Sequence, residues 1–346
     1  MELLAALTGV TGVSGHEAAV RSVLRQHLEG LVDGTATDAL GNLLAYKKPR
    51  GTPGLKVMMA AHMDEVGIMA RKVDDHGFVR FTTLGSLRPQ VLLGQAVRFT
   101  SGTTGVVDGE RLDDMGQLAL RHLYVDVGAT NREEALERVS IGETASFCTS
   151  LWQRGNQVVA KALDDRVGCA ILVECLRRLD PAWGHDLCLA FTSQEEVGVR
   201  GARVAAQGYG PDFSVVVDVT PAGDTPKGLD YEMALGGGAA VKIMDNIPQA
   251  MGGFLAPPGV TKFVQSAAAR RGIKWQPEVL ERGSTDAASI HLAGPGVLTA
   301  VISIPIRYSH TPYEVIDVRD VEAVTVLVLA VLEDLSVDGI RAMYEG

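Results

Sequence analysis

Two histidines of this sequence stand shortly after apolar runs, and residues of this type could bind divalent metal ions. His62 comes after the run 55–59 and is two residues before Asp64, so in a strand both side chains point to one side. His310 comes after a second run, 299–304. We interpret the histidines as candidate ligands and Asp64 as a carboxylate that orients the His62 ring. A lone pair at this spacing is more often a structural hydrogen bond, so the interpretation depends on further clusters.

Aspartates occur at two comparable places. Asp164 and Asp165 follow a predicted strand and precede a predicted helix over 167–179. The helix dipole favours acidic residues at a helix start, which suffices to explain Asp165, so Asp164 is the better ligand candidate. Asp218 lies near the end of the β-branched run 213–220, where a buried carboxylate requires a partner. A metal ion or a cap on the following turn would each supply one.

Glu195 and Glu196 leave the predicted strand 187–192 together. Adjacent carboxylates disfavour joint ionisation unless a positive charge lies nearby, and a metal ion supplies that charge. If one glutamate binds metal, its neighbour can act as a general base toward water. Mixed imidazole and carboxylate ligands favour Zn²⁺, Co²⁺ or Mn²⁺ over Mg²⁺ or Ca²⁺. The whole set suits two divalent ions bridged by one carboxylate.

The elements that must position these residues are strands, each with a candidate near its carboxyl end. In an open, mostly parallel sheet those ends form one edge, where sites occur. We therefore predict an α/β fold in which a mostly parallel-sheet di-metal hydrolase domain comprises residues 1–68 and 158–346. Short alternating segments broken by glycine predict that 69–157 is an inserted, small β-rich domain, a barrel or a sandwich. Upstream, Ser14 and Glu17 have the spacing of a capping box that opens a helix.

Composition bounds the function. The 346 residues are 46% hydrophobic and 21% charged, as in ordinary globular proteins long enough for two domains. A net charge of −10 argues against a nucleic-acid surface, which needs clustered Lys and Arg. The four cysteines form no CxxC pair and predict small core residues in a reducing compartment. With no signal-peptide pattern and no apolar run of membrane-spanning length, we expect a soluble cytoplasmic protein without a membrane partner.

Five ordered stretches of the chain resemble those of the M42 family of metallo-aminopeptidases, which includes the tetrahedral, glutamyl and deblocking aminopeptidases. The β-rich insertion also lies where that family has its second domain. The matching stretches are Ala61-His62-Met63-Asp64-Glu65-Val66-Gly67, Ala162-Leu163-Asp164-Asp165-Arg166, Gln194-Glu195-Glu196-Val197-Gly198, Asp218 with Thr220-Pro221, and Arg307-Tyr308-Ser309-His310-Thr311-Pro312.

The resemblance implies an aminopeptidase that releases N-terminal amino acids from short peptides with two divalent ions per subunit, Zn²⁺ or Co²⁺ first and Mn²⁺ as a further choice. It implies that the ions bind the free α-amino group and polarise the scissile carbonyl. It also implies a homo-oligomer, either a dimer or a tetrahedral dodecamer. The implied roles are Asp164 as bridge, His62 and Asp218 at one ion, Glu196 and His310 at the other, Glu195 as general base, and Asp64 as support for His62.

Some features depart from the family or have two interpretations. The segment 85–89 lacks the expected glycine pair before Asp-Pro, and the loop 235–239 has three glycines where we expect a lysine and a proline. Those glycines either let the backbone approach the substrate closely or form a flexible turn. Arg307 is a candidate for binding a substrate carboxylate, with a structural ion pair as the alternative. We interpret Asp286 as structural.

Other functions use similar residues. A related di-metal carboxypeptidase or N-deacylase would bind metals in the same way, although the matching stretches favour the M42 group. Endoglucanase, a label applied to some family members, would need two carboxylates and no metal pair. A non-catalytic metal-binding module is a third alternative, but the spare Glu195 argues against a closed structural site. The preferred N-terminal residue and the physiological metal stay open.

Overall fold

The apolar runs of the sequence form the strands of a large sheet and a small barrel. The computed structural model describes residues 1–51, 54–228, 230, 232–247 and 252–345. In chain order the strands are Gly34–Thr37 (β1), Leu43–Lys47 (β2), Lys56–His62 (β3), Gly67–Val73 (β4), Val79–Leu84 (β5), Ala96–Phe99 (β6), Thr104–Gly109 (β7), Leu123–Asp126 (β8), Thr144–Phe147 (β9), Trp152–Arg154 (β10), Gln157–Ala160 (β11), Asp186–Thr192 (β12), Phe213–Pro221 (β13), Ala239–Ile247 (β14), Gly252–Leu255 (β15), Trp275–Leu280 (β16), Leu298–Arg307 (β17) and Glu314–Asp317 (β18).

Helices connect the strands and cover the large sheet. Short 3₁₀ turns lie at Met115–Gln117 and Leu120–His122. Among the described residues, no helix combines the length and the apolar character needed to cross a membrane. The α-helices are Glu2–Gly9 (α1), Ala18–Leu28 (α2), Pro89–Leu92 (α3), Arg132–Arg138 (α4), Leu163–Arg178 (α5), Arg200–Tyr209 (α6), Pro258–Arg271 (α7), Ala287–Ile290 (α8), Val318–Asp334 (α9) and Val337–Glu345 (α10).

The large sheet is mixed, so the prediction of a mostly parallel sheet is not confirmed. Its strand order is β1-β2-β12-β3-β13-β17-β18-β11-β10, and β14 joins β15 and β16 to β17. Within the described part of this sheet, the parallel ladders join the central strands β12, β3, β13 and β17 in that order, and β14 with β16. The pairs β1-β2, β10-β11 and β17-β18 are antiparallel because short connections, such as the two residues between β10 and β11, cannot return a chain to a parallel neighbour. The pairs β2-β12 and β11-β18 are also antiparallel, although their strands are far apart in the chain.

Both faces of the central sheet are covered, which explains why its strands read as continuous apolar runs. Helices α5, α7 and α9 pack on one face, where Val215, Ile302 and Leu327 belong to the main buried cluster. On the other face, α6 and α8 pack over a second cluster that includes Ala60 and Val216. The α/β class predicted from the sequence is confirmed.

The glycine-broken stretch forms a closed six-stranded barrel in the order β4-β5-β8-β7-β6-β9. Its interior is a separate apolar cluster that includes Phe99, Val107 and Val125. The next strand, β10, already pairs with β11 of the large sheet. The division into 1–68 with 158–346 and an inserted 69–157 stays a prediction, because strand pairing alone does not define a folding unit.

Candidate active site

The central parallel strands bring four of the predicted site residues to one edge of the sheet. His62 ends β3 and pairs with Thr192, so the chain leaves β12 toward Glu195 and Glu196 at the same level. Val216 of β13 pairs with Ala60, which places Asp218 level with His62. The other candidates, Asp164 and His310, lie beyond the ends of β11 and β17, and their side chains reach the same edge.

The first cluster, here called the inner group, consists of His62, Asp164 and Asp218. All three are buried. His62 Nε2 lies 3.1 Å from Asp164 Oδ1 and 3.8 Å from Asp218 Oδ1. Possible ligand atoms of the group all lie within 4.8 Å of one another, close enough to share one cation.

The second cluster, here called the outer group, consists of Asp164, Glu196 and His310. His310 Nε2 lies 3.4 Å from Asp164 Oδ2 and 3.2 Å from Glu196 Oε2. Asp164 therefore belongs to both groups and turns one carboxylate oxygen toward each histidine. Its neighbour Asp165 belongs to neither group, and accepts a hydrogen bond from the Gly168 N–H at 3.0 Å near the start of α5.

The chemistry of these residues fits divalent cations. Glu196 Oε1 is buried and has no hydrogen-bond partner among the described residues, although a buried carboxylate oxygen needs one. Burial raises the pKa of Asp218 well above its usual value, and the charge of Asp164 adds to the shift. Crowding of this kind is relieved by a positive ion bound between the carboxylates. Imidazole nitrogen together with carboxylate oxygen is a donor set for Zn²⁺ and similar metals.

Glu195 is buried beside these groups and is a member of neither. Its side chain lines the same cavity as the ligand candidates. Burial raises the pKa of Glu195 well above its usual value; the nearby His62 opposes the rise, and the charge of Asp218 adds to it. A carboxylate with a raised pKa next to a cation site is suited to take up and release a proton.

Asp64 supports two parts of the site at once. The His62 Nδ1 lies 3.1 Å from the Asp64 carbonyl oxygen and 3.6 Å from its carboxylate, so the ring is held mainly through the backbone. The carboxylate instead accepts hydrogen bonds from the backbone N–H groups of Glu195 and Glu196, at 3.0 and 3.2 Å. Asp64 therefore contacts His62, as the sequence predicts, and also binds the backbone of Glu195 and Glu196, which the sequence does not indicate.

Ser14 is a site residue that sequence reasoning missed. Its hydroxyl donates to Asp64 Oδ2 at 2.6 Å. The predicted capping box is wrong, because α2 begins at Ala18 and its N-cap, Glu17, makes no side-chain cap. Glu17 instead accepts from the N–H groups of Gly15 and Gln194, at 2.6 and 3.3 Å. No local pattern distinguishes these long-range contacts from a cap.

A cavity of about 300 Å³ opens beside the two groups. One wall is apolar, with Val199, Val219 and Leu280. Lys242 also lines the cavity, but its Nζ is 2.6 Å from Glu278 Oε1, so this buried cation is already paired. The barrel contributes Ser86, whose carbonyl oxygen lies 3.0 Å from His310 Nδ1.

Three other candidates lie apart from the ligand groups. Arg307 is absent from the cavity lining and binds Asp224 through Nε and Nη2, at 2.8 and 2.6 Å, which supports the ion-pair alternative. Asp286 is buried, its carboxylate accepts a hydrogen bond from the Thr192 hydroxyl, and burial raises its pKa to about 6. In the glycine loop, the N–H groups of residues 236 and 238 donate to Asp320, at 2.6 and 2.8 Å. The loop is therefore held in place.

Backbone strain is concentrated around the site. Ala162, Gln194, Val199, Tyr308 and His310 all have positive φ, a conformation that non-glycine residues rarely adopt. Each belongs to a segment that carries a ligand candidate or lines the cavity. Such strain persists where surrounding contacts enforce it, and it is typical of functional sites.

A mixed α/β sheet that gathers histidines and carboxylates at one edge, beside an open cavity, is an arrangement typical of metal-dependent hydrolases. Comparison with known proteins is more specific. The family model described as M42 glutamyl aminopeptidase matches residues 41–327. The chain belongs to the M42 peptidase family, as its resemblance predicted, and it is an aminopeptidase, a peptide hydrolase.

Relatives of this chain match it over nearly its whole length. An aminopeptidase structure from the archaeon Desulfurococcus kamchatkensis is 36% identical with a TM-score of 0.93, covering 99% of this chain and 96% of that chain. Lysyl aminopeptidase from Pyrococcus furiosus is 34% identical over 96% of this chain and 97% of its own length. The TET1 peptidase of Pyrococcus horikoshii, described as able to assemble into a tetrahedron or a large octahedral shell, is 29% identical with a TM-score of 0.84, covering 96% of this chain and 99% of that chain.

Proposed function

We propose that this aminopeptidase works with two divalent ions, Zn²⁺ or Co²⁺ first and Mn²⁺ as a further choice, and with Glu195 as the general base. The observation that carries the proposal is the position of Asp164, whose two carboxylate oxygens face two separate histidines. One ion would be held by the inner group and the other by the outer group. When bound, such ions supply Lewis acidity toward a carbonyl oxygen and toward water.

The reaction is hydrolysis of the first peptide bond. Water oxygen bonds to the carbonyl carbon while Glu195 accepts a proton from that water. The carbon–nitrogen bond then breaks, and Glu195 passes the proton to the leaving amine. Asp64 holds the Glu195 backbone during these transfers, since its carboxylate accepts the Glu195 N–H at 3.0 Å.

The cavity supports removal of single residues from a chain end. Its volume of about 300 Å³ is at the lower end of the range for ligand pockets, enough for one or two residues. Asp164, Glu196 and Asp218 line this cavity, so ions held there would lie within reach of a free amine terminus, which the family resemblance implies they bind. Lys242 is paired with Glu278, but Arg282 also lines the cavity, so the cations of the lining do not decide between an aminopeptidase and a carboxypeptidase. The apolar wall leaves the preferred N-terminal side chain open.

The test is hydrolysis of a panel of aminoacyl-p-nitroanilides by the purified protein. Activity is measured after chelation and after adding back Zn²⁺, Co²⁺ or Mn²⁺, with N-acetylated substrates in parallel. Metal-restored cleavage of only the free-amine substrates is the expected result, and it would also reveal the side-chain preference. Equal cleavage of the blocked substrates would move the assignment to an N-deacylase. Cleavage unaffected by chelation would remove the metal mechanism.

We also propose that the protein is a homo-oligomer, either a dimer or a tetrahedral dodecamer, acting on short peptides. The similarity to the TET1 peptidase over nearly the whole chain supports this assembly. Light scattering over the micromolar range measures it directly. A strictly monomeric mass would overturn the proposal.

A further inference from the structure

The carboxylate of Glu314 accepts hydrogen bonds from the backbone N–H groups of two candidate metal ligands, Asp164 and His310. Its Oε2 accepts the backbone N–H of Asp164 at 3.0 Å, and its Oε1 accepts the backbone N–H of His310 at 2.8 Å. Glu314 is 2% exposed and is not among the cavity-lining residues, so it does not touch a substrate. Neither ligand group includes it. Its two carboxylate oxygens therefore bind the backbones of Asp164 and His310, which form the outer group together with Glu196.

Strand pairing explains this position. Glu314 begins β18 and lies opposite Ala160, the last residue of β11. Asp164 follows Ala160 by four residues, and His310 precedes Glu314 by four. The segment that carries Asp164 therefore begins, and the segment that carries His310 ends, at the paired residues Ala160 and Glu314. A carboxylate at this point reaches both backbones, whereas an apolar residue would leave both N–H groups without an acceptor.

The backbone at His310 needs such a contact. His310 has a φ of 60°, a conformation that residues with a side chain adopt rarely. Glu314 holds its N–H, while the Ser86 carbonyl lies 3.0 Å from its ring Nδ1. Together the two contacts leave Nε2 directed at Asp164 and Glu196. Loss of the Glu314 contact would free this backbone to relax and carry the ring away.

We propose that Glu314 is the positioning residue of the outer group, setting the affinity of that group for its divalent ion. This inference rests on the proposed two-ion function. It predicts a larger effect at the outer group, where Glu314 holds two of the three ligands, than at the inner group, where it holds only Asp164. Residues that orient metal ligands typically alter affinity by about 10- to 100-fold.

The test is titration of the metal-free protein with Zn²⁺ by calorimetry, with bound metal counted by mass spectrometry after dialysis. Glu314→Gln keeps the side-chain volume, but its single amide oxygen serves only one of the two N–H groups. Glu314→Ala serves neither. We expect the outer ion to bind about 10-fold more weakly in Glu314→Gln and weaker still in Glu314→Ala, with the inner ion less affected. His310→Ala and His62→Ala identify which binding phase belongs to which group.

Asp320→Asn is the matched control. Asp320 is also a buried carboxylate that holds two backbone N–H groups, those of Gly236 and Gly238, but it contacts no candidate ligand. The same chemical change there should lower thermal stability and leave both Zn²⁺ affinities unchanged. If Glu314→Ala does not fold, Glu314→Gln decides the question.

The outcomes separate this inference from the proposed function. Unchanged affinities in Glu314→Gln, or an equal weakening in Asp320→Asn, would overturn the positioning role while leaving the two-ion proposal in place. A wild-type protein that binds one ion would overturn the two-ion proposal, and the Glu314 role would then be decided on that ion. A wild type that binds none would overturn both.

Discussion

The hydroxyl of Ser14 donates a hydrogen bond to Oδ2 of Asp64 at 2.6 Å, across a separation of 50 residues. The same carboxylate accepts the backbone N–H groups of Glu195 and Glu196. The N-terminal segment is thus two hydrogen bonds away from the proposed base. Because Ser14 and Asp64 are both buried, water cannot replace the hydroxyl when it is removed.

Substitution Ser14→Ala should therefore reduce both stability and activity. Removing one of the three donors to the buried Asp64 carboxylate should cost about 1–3 kcal/mol, the range for a hydrogen bond to a charged group. Loss of that donor also raises the pKa of Asp64, which the Ser14 hydrogen bond helps to lower. The measurements are urea unfolding and kcat/KM on the best aminoacyl substrate. Ser214→Ala is the control. The Ser214 hydroxyl also has a buried partner, the Thr299 hydroxyl at 2.9 Å, but it lies near the start of β13, at the end of the strand away from the site. Equal activity loss in both variants would show that Ser14 acts through stability alone.

Substitutions at the adjacent glutamates should give opposite results for metal content. Glu195→Gln removes the proposed base without altering either ligand group, so turnover should fall about 10²- to 10⁴-fold while both ions are retained. Glu196→Gln removes an outer ligand, so one ion should be lost. The number of bound ions per subunit is measured by metal analysis, and turnover by steady-state kinetics, for both variants. Near-normal turnover in Glu195→Gln would disprove the general-base assignment.

Strand-end residues of the site could be predicted from sequence because each depends on a local pattern. His62, Asp164 and Asp218 follow or end apolar runs, and buried parallel strands bring such positions to one edge. The proximity of ligand atoms then follows from the strand order, which the sequence does not contain. Contacts between distant segments, such as Ser14 with Asp64, leave no periodic signal at all. The spacing of Ser14 and Glu17 therefore predicts a capping box that the fold does not contain.

The sequence does not predict the mixed pairing of the sheet, for a related reason. Apolar periodicity indicates that a strand is buried, but pairing direction depends on the neighbour and on connection length. The run that forms β17 reads the same whether its neighbour is the parallel β13 or the antiparallel β18. Glu314 shows the same limit at a single residue. Its sequence position places it near His310, but only the pairing of β18 with β11 brings it to Asp164.

Arg307→Gln should leave substrate affinity unchanged. The guanidinium is bound to Asp224 at the surface and is absent from the cavity lining. KM for acidic, neutral and basic aminoacyl substrates should stay within about twofold, and unfolding free energy should fall by about 0.2–1 kcal/mol, the usual value of an exposed pair. Asp224→Asn should cause the same loss, with little further effect in the double variant. A KM increase confined to acidic substrates would instead assign Arg307 to the substrate site.

Thiol reactivity should distinguish one cysteine from the other three. Cys148 is exposed, whereas Cys169, Cys175 and Cys188 are buried. Burial raises the pKa of Cys188 to about 12, so this thiol stays protonated and unreactive in the native protein. Native protein should react with one equivalent of a thiol reagent, and denatured protein with four. The variant Cys148→Ser should show no fast-reacting thiol, and a rapidly labelled residual thiol would contradict the buried positions.

Titration at the site should make metal-free protein less stable as pH rises. Burial raises the pKa of Glu195 and Asp218 well above the usual value. Burial opposes protonation of His62, but hydrogen bonding to Asp164 raises its pKa well above the usual value too. A group whose folded-state pKa is raised stabilises the fold at low pH, and that stabilisation is lost as pH rises through the folded pKa. Asp164 has a lowered pKa, so the stability that it contributes is fully present above the usual aspartate pKa and is lost only as pH falls below that value.

Added Zn²⁺ should offset this loss, because the ion competes with protons for the same ligand atoms and replaces their positive charge. Between about pH 5 and about pH 8 the Tm of chelated protein should fall, while the Tm with Zn²⁺ present falls less, so the difference between them widens. Differential scanning calorimetry over this range makes the measurement. The control Asp218→Asn removes one of the titrating carboxylates and should flatten the decline of the chelated protein. A difference in Tm that is constant with pH would show that the ion does not bind at these titrating groups.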